Sequence, residues 1–382
     1  MTSYSSKVKI CFVVTSEFLR SRLKTNPFID LIIGVCDENH IPYRFLMPKG
    51  VQSGYDPCLI DTTPILFPIA VWFWRGLCLF WRVEPYRIYA LFARLVRPFL
   101  PLALKADVFI GSGSPYAEIL TPMAHRSRVI DVQHGVIYSK HGGYFNVDRT
   151  VTNFLVAFPN REIWVFGKGY ADCFFKNPVN GRWLGKQGTP NCRVKVIGDV
   201  VGHSALPLQE GRKILAFSAQ LTGDFTAEVS AEMVRRMRRF FEETYAKYGS
   251  RLRYLLKQHP RFNHCDIEPL KALPYLEFTD APWSELYPQM LVHVTFSSTV
   301  CFDCASCGIP TRFEPYPENN ILDSRYYQDD YSYPYLDWSL EQILEEQTRD
   351  PDTLHRTIRA WYETCYTPFS KENCLKLLKG EV

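Results

Sequence analysis

The chain has 382 residues, 46% of them hydrophobic, which is enough to fill two domain cores. A formal net charge of +4 excludes the strongly basic surface of a general nucleic-acid binder, and no nucleic-acid partner is expected. The first residues lack the apolar stretch and small-residue cleavage site of a secretory signal, so the twelve cysteines are expected as reduced, mostly buried thiols of a cytoplasmic protein.

In chain order, 7–15 reads as a strand, 26–36 as a helix and 43–47 as a second strand. Residues 65–105 are unusual. Ile69-Ala-Val-Trp-Phe-Trp74 and Leu77-Cys-Leu-Phe-Trp81 lie among Arg75, Arg82, Arg87, Arg94, Arg97 and Lys105, with Glu84 the one acid. Charge and proline break every stretch long enough to span a bilayer. The segment suits either a basic, tryptophan-rich surface lying on anionic lipid or helices packed on a sheet with their arginines reaching water.

Further short strands follow at 107–111, 128–132, 162–167 and 193–198. Most are continuous apolar runs that end in glycine or polar residues, as strands buried on both faces of a parallel sheet do. Residues 199–212 carry Gly202, His203, Pro207 and Gly211 without a period and read as a linker. A second alternation begins beyond it. Strands are expected at 213–218, 252–257, 276–279, 291–296 and 310–313, and helices at 227–247, 299–307, 340–347 and 351–362. The expected fold class is α/β: two doubly wound, Rossmann-like domains, 1–200 and 211–382, facing across a cleft.

Two strand ends in the second domain carry the most chemistry. Lys257-Gln258-His259-Pro260-Arg261 sets an ammonium, an imidazole and a guanidinium where proline stops a strand. Phe296-Ser297-Ser298-Thr299-Val300 sets hydroxyls and backbone N–H groups between a strand and a helix start. Together they suit phosphate oxygens, and an enzyme handling an activated nucleotide is expected. Gln220, Thr222 and Gly223, after the first strand of that domain, would approach the same phosphate, and Asp303 would accept hydrogen bonds from a ribose. Ordinary strand-end loops and helix capping by Ser297 or Thr299 are the plainer readings. Cys301, Cys304 and Cys307 share a cluster-like spacing, but Gly308-Ile309-Pro310 stands where a fourth ligand would be needed. They read as small hydrophobes on a helix, and neither a metal nor a cofactor is expected.

In the first domain, Arg128-Val-Ile-Asp-Val-Gln-His-Gly135 is a strand that ends in Gln133-His134-Gly135. A histidine there can act as a general base, with Asp131 and Glu118 as carboxylates to orient or replace it. Gln133, Gly135, His141, Ser112 and Ser114 would line the acceptor side; core or loop roles are the alternative for each.

These motifs, in their order over about 105–313, resemble the bacterial surface-polysaccharide (capsule and lipopolysaccharide) glycosyltransferases of the GT-B fold. The resemblance rests on Gln133-His134-Gly135, the run Phe158 to Gly167, Val196-Ile197-Gly198, His259-Pro260-Arg261, Ser297-Ser298-Thr299 and Gly308-Ile309-Pro310. The His-Pro and Ser-Ser pair is similar to that of sialyl and Kdo transferases, which use CMP-sugars. The Gln-His-Gly end resembles the His-Gly of glycerophosphotransferases that build teichoic acids. The resemblance implies a metal-independent transfer from a nucleotide-sugar donor to a surface-glycan or lipid-linked acceptor. His259, Arg261, Ser297, Ser298 and Thr299 would hold the nucleotide, and His134 would serve as base. Asp303 stands where many such enzymes place a ribose-binding glutamate. A CDP-polyol phosphotransferase, a nucleotide-sugar epimerase and a non-catalytic glycan-assembly subunit are the rival expectations.

Overall fold

The computed structural model describes residues 9–14, 19, 25–47, 52–55, 60–62, 106–112, 127–139, 161–176, 193–202, 206–259, 262, 265–319 and 321–381. The 65–105 segment, Ser114, Glu118, His141 and Arg261 lie outside them, so the expectations made for these residues are not placed. Cα packing divides the chain into two compact units. One is Met1–Gly202 together with Cys365–Val382; the other is His203–Thr364.

The first unit is built on β1 (Ile10–Val13), β2 (Tyr43–Met47), β3 (Ile60–Thr62), β4 (Val108–Gly111), β5 (Arg128–Val132), β6 (Arg161–Val165) and β7 (Arg193–Val196). Among the described residues they form a seven-stranded parallel sheet in the order β3-β2-β1-β4-β5-β6-β7. Every residue of β1 and β4 is buried, which is why these strands read as unbroken apolar runs. Helix α1 (Pro27–Glu38) starts at Asn26, whose side chain accepts from the Phe28 N–H, with Pro27 preset for the first turn. Helix α2 (Lys168–Lys176) follows β6.

The second unit has β8 (Ile214–Ala219), β9 (Arg253–Gln258), β10 (Leu276–Phe278), β11 (Met290–Thr295) and β12 (Thr311–Phe313). These pair in parallel in the order β10-β9-β8-β11-β12. Helix α3 (Ala227–Tyr248) covers one face. Its Met233, Val234, Met237, Phe240 and Phe241 meet Phe217, Leu256, Val294 and Phe296 from the strands. On the other face lie α5 (Trp283–Leu286) and α6 (Val300–Ser306), the latter preceded in the chain order by α4 (Glu268–Lys271). There Cys304 and Cys307 pack with Ala216, Leu255 and Met290 as small apolar groups. Among the described residues no three His, Cys, Asp or Glu side chains are grouped to hold a metal ion, and no helix is long and apolar enough to cross a membrane. Helices α7 (Tyr326–Asp329), α8 (Leu340–Arg349) and α9 (Pro351–Cys365) complete the run of elements before the tail.

The expected second domain, 211–382, is corrected at its end: the tail packs in the first unit. Helix α10 (Lys371–Lys379) lies against α1. Arg128 explains much of this docking. Its guanidinium grips Glu162 through two bonds, of 2.8 and 2.7 Å, and also donates to the Leu377 and Leu378 carbonyls at the end of α10. The Leu377 carbonyl also takes the Gly380 N–H of the helix cap, and a cation at that end is favoured by the helix dipole. Asn373 Nδ2 donates to the Val196 carbonyl at the end of β7. The backbone leading into α10 crosses two glycines. A Cβ on Gly167 would sit 1.9 Å from the Cys365 carbonyl oxygen, and one on Gly198, whose φ is +96°, 2.7 Å from Phe369 Cα. Neither obstacle is a flexible side-chain end, so Gly167→Ala is expected to lower the unfolding free energy by about 3 kcal/mol. Urea unfolding of the purified variant checks this; a midpoint equal to wild type would contradict the close packing of the tail.

Candidate active site

In the second sheet β8 and β11 are neighbours from which the chain winds outward in opposite directions. Their carboxyl ends therefore open a crevice that no crossover covers, the usual ligand position in a doubly wound sheet. Gln220 leaves β8 on one side of this point and Ser297 leaves β11 on the other. Gln220 Oε1 accepts from the Ser297 N–H at 3.0 Å, closing the two strand ends together. Lys257 and His259 leave β9 next door, and an isolated antiparallel bridge between Thr222 and Phe262 ties the loop after β9 to the loop after β8. Gln220, Thr222, Lys257, His259, Ser297, Ser298 and Thr299 are thus carried by three adjacent strand ends of one edge.

Their side chains divide into those that serve the turn and those that face outward. Ser297 is buried and its hydroxyl donates to the Ile321 carbonyl at 2.8 Å, a structural bond that competes with the ligand contact expected of that hydroxyl. Thr222 is likewise buried, with its hydroxyl donating to Asp224 at 2.9 Å. The Ser298 N–H donates to Thr295 Oγ1, and Ser298 Oγ accepts from the Val300 N–H. Thr299 is exposed. Its side chain makes no capping bond, so the plain capping reading fails for it. Asp303 accepts from the Tyr287 hydroxyl at 3.3 Å, a contact that competes with the ribose role expected of it. Lys257 Nζ lies 5.8 Å from the centroid of the Trp283 ring. Burial lowers the Lys257 ammonium below its ordinary value, and Asp280 acts in the opposite sense.

Sequence reasoning did not single out Trp283, His293, Thr295, Tyr326 or Tyr327. His293 is wholly buried in β11; its Nε2 is 2.8 Å from Ser218 Oγ and its Nδ1 3.0 Å from Thr311 Oγ1. One imidazole therefore joins β8, β11 and β12 just beneath the edge, and two hydroxyls can complete either neutral tautomer. The only signal for it was a polar residue inside an apolar strand. Tyr326 and Tyr327 were visible only as part of a tyrosine-dense run, Tyr326 to Tyr335.

In the first unit His134 stands half-buried at the end of β5. Its neighbours are more internal than expected. Asp131 is buried in an ion pair with Arg161 at 3.2 Å, a contact that competes with the catalytic role expected of it. Gln133 is fully buried: its Oε1 accepts from the Phe166 N–H and its Nε2 donates to the Gly135 carbonyl. Both bonds brace the turn that carries His134 and compete with the acceptor contact expected of Gln133. Ser112 is buried at the end of β4, and its hydroxyl has no hydrogen-bond partner among the described residues. A Cβ on Gly135 would meet nothing within 4 Å.

No family model matches the sequence, and no curated protein matches it. Solved structures do match. The UDP-GlcNAc 2-epimerase from Methanocaldococcus jannaschii covers 98% of this chain and 100% of its own, with a TM-score of 0.55 and 12% identity. A variant of the wall teichoic acid polymerase TagF covers 98% of this chain and 87% of its own, with a TM-score of 0.52 and 13% identity. A UGT transferase from Siraitia grosvenorii in complex with UDP covers 98% and 99%, with a TM-score of 0.50 and 9% identity. The likeness shows the fold: two parallel-sheet α/β units of the GT-B type, shared with glycosyltransferases and UDP-GlcNAc 2-epimerases.

Burial of His293 sets a pH dependence. Its pKa falls from 6.5 to about 3 on folding, because the interior disfavours the charged ring. The unfolded chain then binds the extra proton between those values, so stability is full above 6.5 and is lost as the pH falls toward 3. From about pH 7 to about pH 5 one such group removes about 2 kcal/mol. His355, lowered to about 4 by burial and by Arg212 and Arg359, adds a loss of the same sign. Denaturant titrations at the two pH values are expected to show the drop, and His293→Gln a clearly smaller one; an unchanged slope in the variant would assign the drop elsewhere.

Proposed function

We propose that this chain is a glycosyltransferase that moves a sugar from a nucleotide donor, with a CMP-sugar favoured, to a surface-glycan or lipid-linked acceptor. The observation that carries this reading is the closed pair of strand ends at the switch point. There Gln220 and Ser297 fix a turn, with Lys257 and His259 on the neighbouring strand end and Arg261 two residues further along the sequence. The preference for CMP rests on the resemblance of His259-Pro260 and Ser297-Ser298 to sialyl and Kdo transferases. In the reaction the acceptor oxygen forms a bond to the anomeric carbon as the bond from that carbon to the phosphate oxygen breaks. Lys257, His259 and Arg261, with the Thr299 N–H and hydroxyl, offset the charge left on the departing nucleotide without a resident metal. His134, on the turn shaped by Gln133, takes the proton from the acceptor hydroxyl. A membrane-bound acceptor places the work at the inner face of the cytoplasmic membrane, with the basic, tryptophan-rich 65–105 segment as the contact with anionic lipid.

The UDP-GlcNAc 2-epimerase structures favour a second reading, in which the chain turns over a nucleotide-sugar with no acceptor present. Melting the protein with CMP, CDP, UDP, GDP and NAD separates these cases, because a ligand that binds only the folded state raises the melting point. A selective rise with CMP, lost in His259→Ala, is expected. A rise confined to UDP, followed by epimer formation from UDP-GlcNAc alone, would replace the transferase with the epimerase. A rise confined to CDP would point to polyol-phosphate transfer, and no rise with any nucleotide would refute the nucleotide site and favour a glycan-assembly subunit. In transfer assays with the donor so named, His134→Ala is expected to lower turnover by about a hundredfold or more with little change in donor affinity.

A further inference from the structure

The tyrosine-dense run after β12 has no part in the reading above, yet two of its hydroxyls end on the backbone of the nucleotide turn. Tyr326 donates to the Ser297 carbonyl at 3.0 Å, and Tyr327 to the Ser298 carbonyl at 2.8 Å. Both side chains are buried. Tyr327 is held by its ring, with Tyr326, Phe313 and Phe302 at centroid distances of 4.4, 4.5 and 5.6 Å. A rigid aromatic wall therefore carries the hydroxyl to one peptide group.

The consequence follows from peptide geometry. The Ser298 carbonyl and the Thr299 N–H belong to one planar trans unit and point in opposite directions. Pinning the carbonyl inward, where the Cys301 N–H also meets it at 3.1 Å, turns the Thr299 N–H outward. The neighbouring donors are already used: the Ser297 N–H on Gln220 and the Ser298 N–H on Thr295. Among the described residues the Thr299 N–H forms no bond, and Thr299 is exposed. We infer that Tyr327, seconded by Tyr326, is a positioning residue for nucleotide phosphate: its hydroxyl fixes the peptide plane that aims the Thr299 N–H at a phosphate oxygen. This rests on the nucleotide-site reading above.

Removing only the hydroxyl tests it. Tyr327→Phe keeps the ring stack, and its affinity is measured by calorimetry for a nucleoside diphosphate (CDP and UDP) and for the matching nucleoside (cytidine and uridine). The diphosphate is expected to weaken about five- to tenfold, the worth of one hydrogen bond, while the nucleoside binds as to wild type. Tyr326→Phe should show the same split to a smaller degree and serves if Tyr327→Phe does not fold. Tyr333→Phe is the control: its hydroxyl is buried in the same aromatic cluster but bonds the Thr311 backbone, and both affinities should match wild type. Equal weakening of nucleoside and diphosphate, no weakening of either, or the same split in Tyr333→Phe would overturn the positioning role while leaving the nucleotide site intact. A wild-type protein that binds no nucleotide would overturn both.

Discussion

The bond from the Ser297 N–H to Gln220 is the constraint on which the second unit's chemistry depends. A parallel sheet sends all its carboxyl ends to one edge, and at the switch point two of them diverge with no helix between. Left alone, such a gap would be two loops free to move apart. One side-chain amide oxygen spans it, and buried polar bonds beneath reinforce it: His293 from below, Thr295 to the Ser218 carbonyl, Ser297 to the Ile321 carbonyl. Each of these groups would be costly to leave unpaired in the interior. The arrangement is therefore self-enforcing, because loosening any one strand end strands polar atoms on its neighbours.

The same economy explains why few serines and threonines of this edge point outward. A turn that must offer donors to a ligand has to be rigid first, and rigidity uses up hydroxyls. Ser297, Thr295 and Thr222 are spent on the frame, leaving Thr299 as the exposed member. In the first unit the division is similar. Gln133 bonds the Gly135 carbonyl of its own turn and the Phe166 N–H beyond β6, and Asp131 is drawn into a buried pair with Arg161, whose desolvation only a close counter-charge offsets.

Much of the fold was legible in the sequence because its strands are buried on both faces. Runs such as Ile10 to Val13 and Ile214 to Ala219 admit few other readings, and their alternation with helices implies a parallel sheet. The three residues of β3 were too short to register, and α10 is mostly polar, with only Cys374, Leu377 and Leu378 buried. The return of the tail to the first unit was not legible at all. It depends on the reach of Arg128 to two carbonyls 249 and 250 residues further along the chain, and backbone acceptors leave no mark in a sequence. For the site, the strand ends were readable because strand order fixes what lies beside what. The directions of the hydroxyls were not, since Ser297 facing a carbonyl and Ser297 facing a ligand are spelled alike.

The docking of α10 also bears on the order in which the protein takes shape during synthesis. Domains generally fold as they emerge, the first to appear leading. Here the first unit lacks a layer that is made after the second unit. Until the residues beyond Thr364 leave the ribosome, the Glu162–Arg128 pair has no helix end to hold, and Gly167 and Gly198 face the space their partner will fill. The second unit, His203–Thr364, meets no such delay and can be complete beforehand. The first unit thus gains its final surface only after the second unit has been made.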